Sequence, residues 1–151
     1  LRCVIDFFKE HKEREYAFEK CAAEIFTLMD RNVTSYDLTR PWRDGGRDAI
    51  GKYKIGLESN AIYVEFALEA KCKNTKSGSG VRELSRLISR LRYRQFGVFI
   101  TTSYVSHQAY EEITTDAHPI IILSGIDIVN ILVRSGYNSK ESIKQWLEQH
   151  F

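Results

Sequence analysis

Residues 62–73, IYVEFALEAKCK, alternate along the chain with the two-residue period of a β-strand. One face carries Val64, Phe66, Leu68, Ala70 and Cys72, all apolar. The other carries Tyr63, Glu65, Ala67, Glu69 and Lys71, and with them every charge in the stretch. Glu69 and Lys71 therefore stand side by side, roughly 6.6 Å apart along the strand. Taken alone, a Glu-x-Lys pair is an ordinary feature of a strand with one half-solvated face. It gains meaning only from what surrounds it.

Upstream, residues 16–29 place Phe18, Cys21, Ala22, Ile25 and Met29 at helical spacing, which predicts an amphipathic helix with Glu19 at the edge of its apolar stripe. Segments 33–38 and 47–55 read as strands, and the polar, Gly/Ser-rich stretch 74–80 as a flexible loop. Residues 81–94 form the next predicted helix, with Val81, Leu84, Ile88 and Leu91 as its buried stripe. A strand over 96–101, a helix over 107–114, a strand over 119–123 and helices over 126–133 and 140–150 follow. Pro119 is tolerated as the first residue of its strand. This order predicts a three-layer α/β fold with a central mixed β-sheet flanked by helices. The helix between strands 62–72 and 96–101 favours a parallel pairing at the sheet centre.

Gly45-Gly46, between two extended segments, reads as a tight turn, because glycine tolerates positive φ at little steric cost. Asp48 then falls just inside the next strand, where aspartate is disfavoured and a carboxylate needs a partner or a metal. Asp44, directly before the glycines, is more simply a turn former. Asp48, Glu69 and Lys71 together are what a divalent cation and an activated water require. The helix over 81–94 carries Arg82, Arg86, Arg90, Arg92 and Arg94 against the single Glu83. Arg82, Arg86 and Arg90, four apart, line one face that suits phosphates; Arg43 and Arg47 flank the turn as weaker candidates.

The order Phe18-Glu19, Gly45-Gly46-x-Asp48 and Glu69-x-Lys71 resembles the Mrr-type catalytic domain of restriction endonucleases, within the PD-(D/E)xK nuclease superfamily. Val81-Arg82-Glu83-Leu84 opening a helix, the strand 97–103 and the late segments 120–123 and 126–132 match in the same order. The resemblance runs over residues 16–133. Each motif is short, and the specificity lies in their shared order and spacing. It implies a restriction-endonuclease-like fold and a supporting acidic role for Glu19. Glu69 departs from many Mrr-type members, which carry Gln there, toward the commoner choice of the superfamily. On this reading residues 1–15 are a linker or N-terminal extension and 16–151 the endonuclease catalytic domain.

The expected activity is Mg²⁺-dependent hydrolysis of phosphodiesters in double-stranded DNA, with Mn²⁺ able to substitute. Asp48, Glu69 and the carbonyl of Ala70 are the expected metal ligands. Lys71 would orient the attacking water or stabilise the charge developing on the phosphate. One metal or two are both compatible with these residues. A Holliday-junction resolvase or repair nuclease on the same scaffold, or a non-catalytic DNA-binding module, are the alternatives. The opening at Leu1 rather than Met suggests a piece of a longer protein, in which a dimer partner or an additional specificity domain is expected.

Composition excludes little beyond this. A hydrophobic fraction of 43% with 28% charged residues is that of a globular domain, and a net charge of +2 says nothing of nucleic acid by itself. No apolar run is long enough to span a bilayer and no signal peptide opens the chain, so no membrane partner and a cytoplasmic location are expected. Cys3, Cys21 and Cys72, odd in number and without ligand spacing, are expected to be reduced and mostly buried. His11, His107, His118 and His150 show no zinc-like or triad-like pattern.

Overall fold

The computed structural model describes residues 1–10, 14–38, 49–91 and 94–151. Its elements are α1 (Arg2–Glu10), α2 (Arg14–Met29), β1 (Val33–Leu38), β2 (Ala49–Leu57), β3 (Asn60–Lys71), α3 (Val81–Leu91), β4 (Phe96–Thr101), α4 (His107–Thr115), β5 (Ile120–Leu123), α5 (Gly125–Arg134) and α6 (Lys140–His150). The strands form one sheet in the order β1-β2-β3-β4-β5. β1, β2 and β3 are antiparallel neighbours, whereas β3–β4 and β4–β5 are parallel. The mixed sheet and the parallel pairing across the β3–α3–β4 crossover agree with the sequence expectation. β3 is the central strand and its register couples both halves: Glu69 lies beside Phe99 and Lys71 beside Thr101.

Three layers follow from which side chains each face of the sheet must cover. Phe66, Leu68, Ala70, Val98 and Ile100 pack under Phe18, Cys21, Ala22, Ile25 and Phe26 of α2, together with residues of α1, α5 and α6. Phe66 sits at the middle of this layer, edge-on to Phe26 at 5.1 Å and tilted against Phe96 at 5.5 Å. Such aromatic pairs add about 0.5–1.5 kcal/mol each beyond the area they bury. Burial pushes the Cys21 thiol well above its ordinary pKa. On the opposite face, Ala67 and Phe99 are covered by Leu84, Leu87 and Leu91 of α3 and by Ala109 and Ile113 of α4.

The structure departs from the sequence reading in several places. Leu87 joins the fully buried stripe of α3, while Val81 and Ile88 are only partly buried. The described part of α3 runs to Leu91 and Arg94, the expected last residue of that helix, is not helical, while Met29, expected in the buried stripe of α2, is 38% exposed. Of the three cysteines only Cys21 is buried; Cys3 is partly covered and Cys72 exposed. Within the expected linker or extension, α1 is a helix whose Val4, Ile5 and Phe8 are buried. Residues 74–80 are tied down rather than loose. The Ser79 amide donates to the Tyr104 carbonyl at 2.8 Å, Ser106 N–H returns to the Ser79 carbonyl at 2.9 Å, and the Ser103 hydroxyl donates to the Thr75 carbonyl. No described helix is long and apolar enough to cross a membrane.

Candidate active site

Glu69 sits four-fifths of the way along β3, on the face that α3 covers. The sequence reading left this face half-solvated; in the fold it is closed, and Glu69 is 0% exposed. A carboxylate removed from water costs several kcal/mol unless charge and hydrogen bonds replace hydration. Two cations do so. Arg90 of α3 donates from Nη1 to Glu69 Oε2 at 3.2 Å, and Lys71 Nζ lies 3.4 Å from Oε1. Oε1 nevertheless accepts no hydrogen bond among the described residues, because the lysine approaches as an ion pair without bonding geometry. The two oxygens are therefore unequal: one is bonded and one is open.

Exposure is graded across the same cluster. The Glu69 side chain is 1% exposed, Arg90 15% and Lys71 31%. The ammonium thus stands at the mouth of the site and the carboxylate at its floor. A buried, hard carboxylate oxygen without a hydrogen bond fits Mg²⁺, which takes oxygen ligands. No group of three or more His, Cys, Asp or Glu that could hold a metal occurs among the described residues. Asp48, Asp44, Arg43 and Arg47 lie outside them. The described part of β2 begins at Ala49, which pairs with Leu68, the neighbour of Glu69.

Glu19 is half-buried on α2, the helix that covers the other face of β3 from the one bearing Glu69. Ala70, the third expected metal ligand, is buried between Glu69 and Lys71 and pairs with Ile100. Arg82 and Arg86 are exposed on α3 as expected. Arg90 is not the third member of an open row: it turns to Glu69 and is largely covered. Four-residue spacing drifts around a helix of 3.6 residues per turn, so two turns carry the row from the solvent side toward the sheet.

Sequence reasoning also missed the clamp that seats α3. Lys73, just beyond β3, pairs with Glu83 at 2.5 Å, and Glu83 Oε2 accepts from the Gly80 amide at 3.0 Å at the helix start. The signal was present: a glutamate three residues after the residue that precedes the helix is half of a capping box. Burial works against the charged form of Glu83, but the hydrogen bonds from Lys73 and Gly80 outweigh it and hold its carboxyl below the ordinary glutamate range. Thr102 locks the same segment, its hydroxyl donating to the Lys73 carbonyl at 2.6 Å and accepting from the Lys73 amide at 2.7 Å. Thr102, Lys73 and α3 are thereby fixed relative to Glu69. A cleft of about 560 Å³, lined by Phe26, Met29, Tyr53 and Phe96 among others, opens instead beside the start of β4. It does not include the carboxylate.

The restriction endonuclease family model of the Mrr catalytic type matches residues 11–132. The chain belongs to the Mrr-type restriction endonucleases. Among solved structures, this Mrr-type chain is similar to the DNA modification-dependent restriction endonuclease AspBHI, with 46% identity and a TM-score of 0.88 over 98% of its length. It is also similar to the MspJI restriction endonuclease in complex with a 27-mer oligonucleotide, with 25% identity and a TM-score of 0.77 over 95%. It spans 38% of the first protein's chain and 34% of the second's. No curated protein matches. The Mrr-type fold expected from the motif order is thus the fold observed: a five-stranded mixed sheet between two helical layers.

Proposed function

We propose that this Mrr-type domain hydrolyses phosphodiester bonds of double-stranded DNA as the Mg²⁺-dependent catalytic unit of a restriction endonuclease. The observation that carries the reading is Oε1 of a fully buried Glu69, which accepts no hydrogen bond among the described residues and lies 3.4 Å from Lys71 Nζ. A buried carboxylate with one oxygen left unbonded is a poor way to stabilise a fold and a good way to bind a hard cation.

Glu69 Oε1, the Asp48 carboxylate and the Ala70 carbonyl would hold Mg²⁺. Asp48 precedes Ala49, and Ala49 pairs with the residue before Glu69, which supports its place beside that carboxylate. When bound there, Mg²⁺ supplies Lewis-acid polarisation of a phosphate oxygen and a more acidic water. Lys71 orients the attacking water from the mouth of the site, or donates to the phosphate oxygen on which charge develops. Arg82 and Arg86, exposed on α3, hold the backbone phosphates; Arg43 and Arg47, which flank Gly45-Gly46 in the sequence, are weaker candidates. Glu19 has the supporting acidic role. The protein named as similar at 46% identity acts on modified DNA, which makes modified bases the first substrate to try.

The test is cleavage of supercoiled plasmid, with and without methylated cytosines, in Mg²⁺, Mn²⁺ and EDTA. Metal-dependent nicking that disappears in Asp48→Ala and Glu69→Ala is the expected result. Cleavage that persists in EDTA would exclude the mechanism.

A further inference from the structure

We infer that Arg90 is a positioning residue for Glu69 and not a DNA contact. The inference rests on the reading above, in which Glu69 holds the cation. Arg90 bonds Oε2 at 3.2 Å, and Oε1 has no hydrogen bond among the described residues, so the carboxylate is divided into a fixed oxygen and an available one. It is held where it can do so. Leu87 and Leu91, on either side of it, are buried against Ala67 and Phe99, while the Glu83 clamp fixes the start of the same helix. At 15% exposure its side chain faces the carboxylate and is largely covered, rather than presented to a backbone phosphate.

Without the guanidinium, the cation that remains beside Glu69 among the described residues is Lys71, already 3.4 Å from Oε1. A buried carboxylate relieved of Arg90 would turn both oxygens toward that ammonium, because an uncompensated buried charge is costly. The open oxygen would then be covered and the lysine immobilised. The sign of the effect separates this from plain electrostatics. Deleting a positive charge near a cation site should by itself tighten cation binding, so weaker binding in a folded variant points to lost positioning.

The experiment measures Mn²⁺ affinity without DNA, from the electron paramagnetic resonance signal of the free ion, in the parent, Glu69→Ala, Arg90→Ala and Arg90→Lys. The same proteins are assayed for DNA affinity against salt in EDTA, with Arg86→Ala as the phosphate-contact comparison. The parent binds Mn²⁺ and Glu69→Ala does not. Arg90→Ala weakens Mn²⁺ binding about tenfold, the lower end for residues that orient a metal ligand. Its DNA salt slope stays that of the parent, whereas Arg86→Ala lowers it by about 1. Should the alanine variant lose its cooperative melt, Arg90→Lys carries the comparison, keeping the charge but not the planar fork. Weaker Mn²⁺ binding at a parental salt slope then supports the inference.

Unchanged or tighter Mn²⁺ binding in the folded Arg90 variants, or a reduced salt slope, overturns the role of Arg90 while leaving Glu69 as a ligand. Mn²⁺ binding that is indifferent to Glu69→Ala overturns the metal reading itself, and the role of Arg90 with it.

Discussion

Lys71 Nζ approaches the oxygen of Glu69 that no hydrogen bond among the described residues satisfies, at 3.4 Å and from the solvent side of the site. Two residues apart on a central strand, they share a face by the alternation of side chains alone. The lysine is 31% exposed and Arg90 still compensates Glu69 without it, so most of the cost of its removal should fall on chemistry. Lys71→Ala is expected to lower single-turnover cleavage on the order of 10²-fold or more, as for loss of a donor to developing charge. Thermal melting and DNA affinity should stay near those of the parent. Activity within threefold of the parent would remove the lysine from the mechanism.

Phosphate contacts make a separate forecast. Arg82 and Arg86 are exposed on α3. Alanine at either is expected to weaken binding to every DNA sequence alike and to lower the salt slope by about 1. Anisotropy titrations at several salt concentrations check this. A variant that changes sequence preference while keeping the slope would mean that the side chain reads bases.

The Glu83 clamp gives the fold a dependence on acid. Its carboxyl titrates below the ordinary value of 4.5 in the folded chain, so the folded state binds its proton less readily than the unfolded one. Its contribution is therefore complete above that value and is lost as pH falls through the depressed one. Glu83→Gln should lower the melting temperature at pH 7, by a stability difference of about 0.5–1 kcal/mol expected for a partly exposed pair and helix cap. The difference from the parent should vanish at the acid end of the range. A difference that persists undiminished at low pH would show that the charge is not its source.

Gly51 on β2 lies under Phe66, and a methyl group there would overlap the ring and come within 2.6 Å of the Ser35 carbonyl oxygen. Neither the β1 backbone nor a ring wedged between Phe26 and Phe96 can give way. Gly51→Ala is expected to destabilise the chain by about 1–3 kcal/mol, the range for overpacking. Urea unfolding at neutral pH measures it, and a midpoint equal to the parent's would contradict the packing described.

The ladder of strands and helices was legible because period two and period 3.6 are written into residues 62–71 and 81–91, and the Glu69–Lys71 pair came with that period. What the pattern could not supply was the covering of Glu69. Ala67 and Glu69 read as a wet face, since an alanine and a glutamate carry no sign of the Leu84, Leu87 and Leu91 that lie across them. For the same reason Arg90 read as one more cation in a row: its partner is 21 residues away, and only the crossover brings the two together. The loop 74–80 looked flexible because its tethers to Tyr104, Ser103 and Ser106 run mostly through the backbone, which no composition reveals.

A cation held jointly by Asp48 and Glu69 should be visible by diffraction from crystals soaked in Mn²⁺. Two carboxylates are harder to keep ionised together than apart, and a divalent cation between them relieves that repulsion. Anomalous density is expected within bonding reach of Glu69 Oε1 and an Asp48 oxygen, with Arg90 still on Oε2. Asp48 and Glu69 on opposite faces of the sheet, or the ion bound away from both, would contradict it.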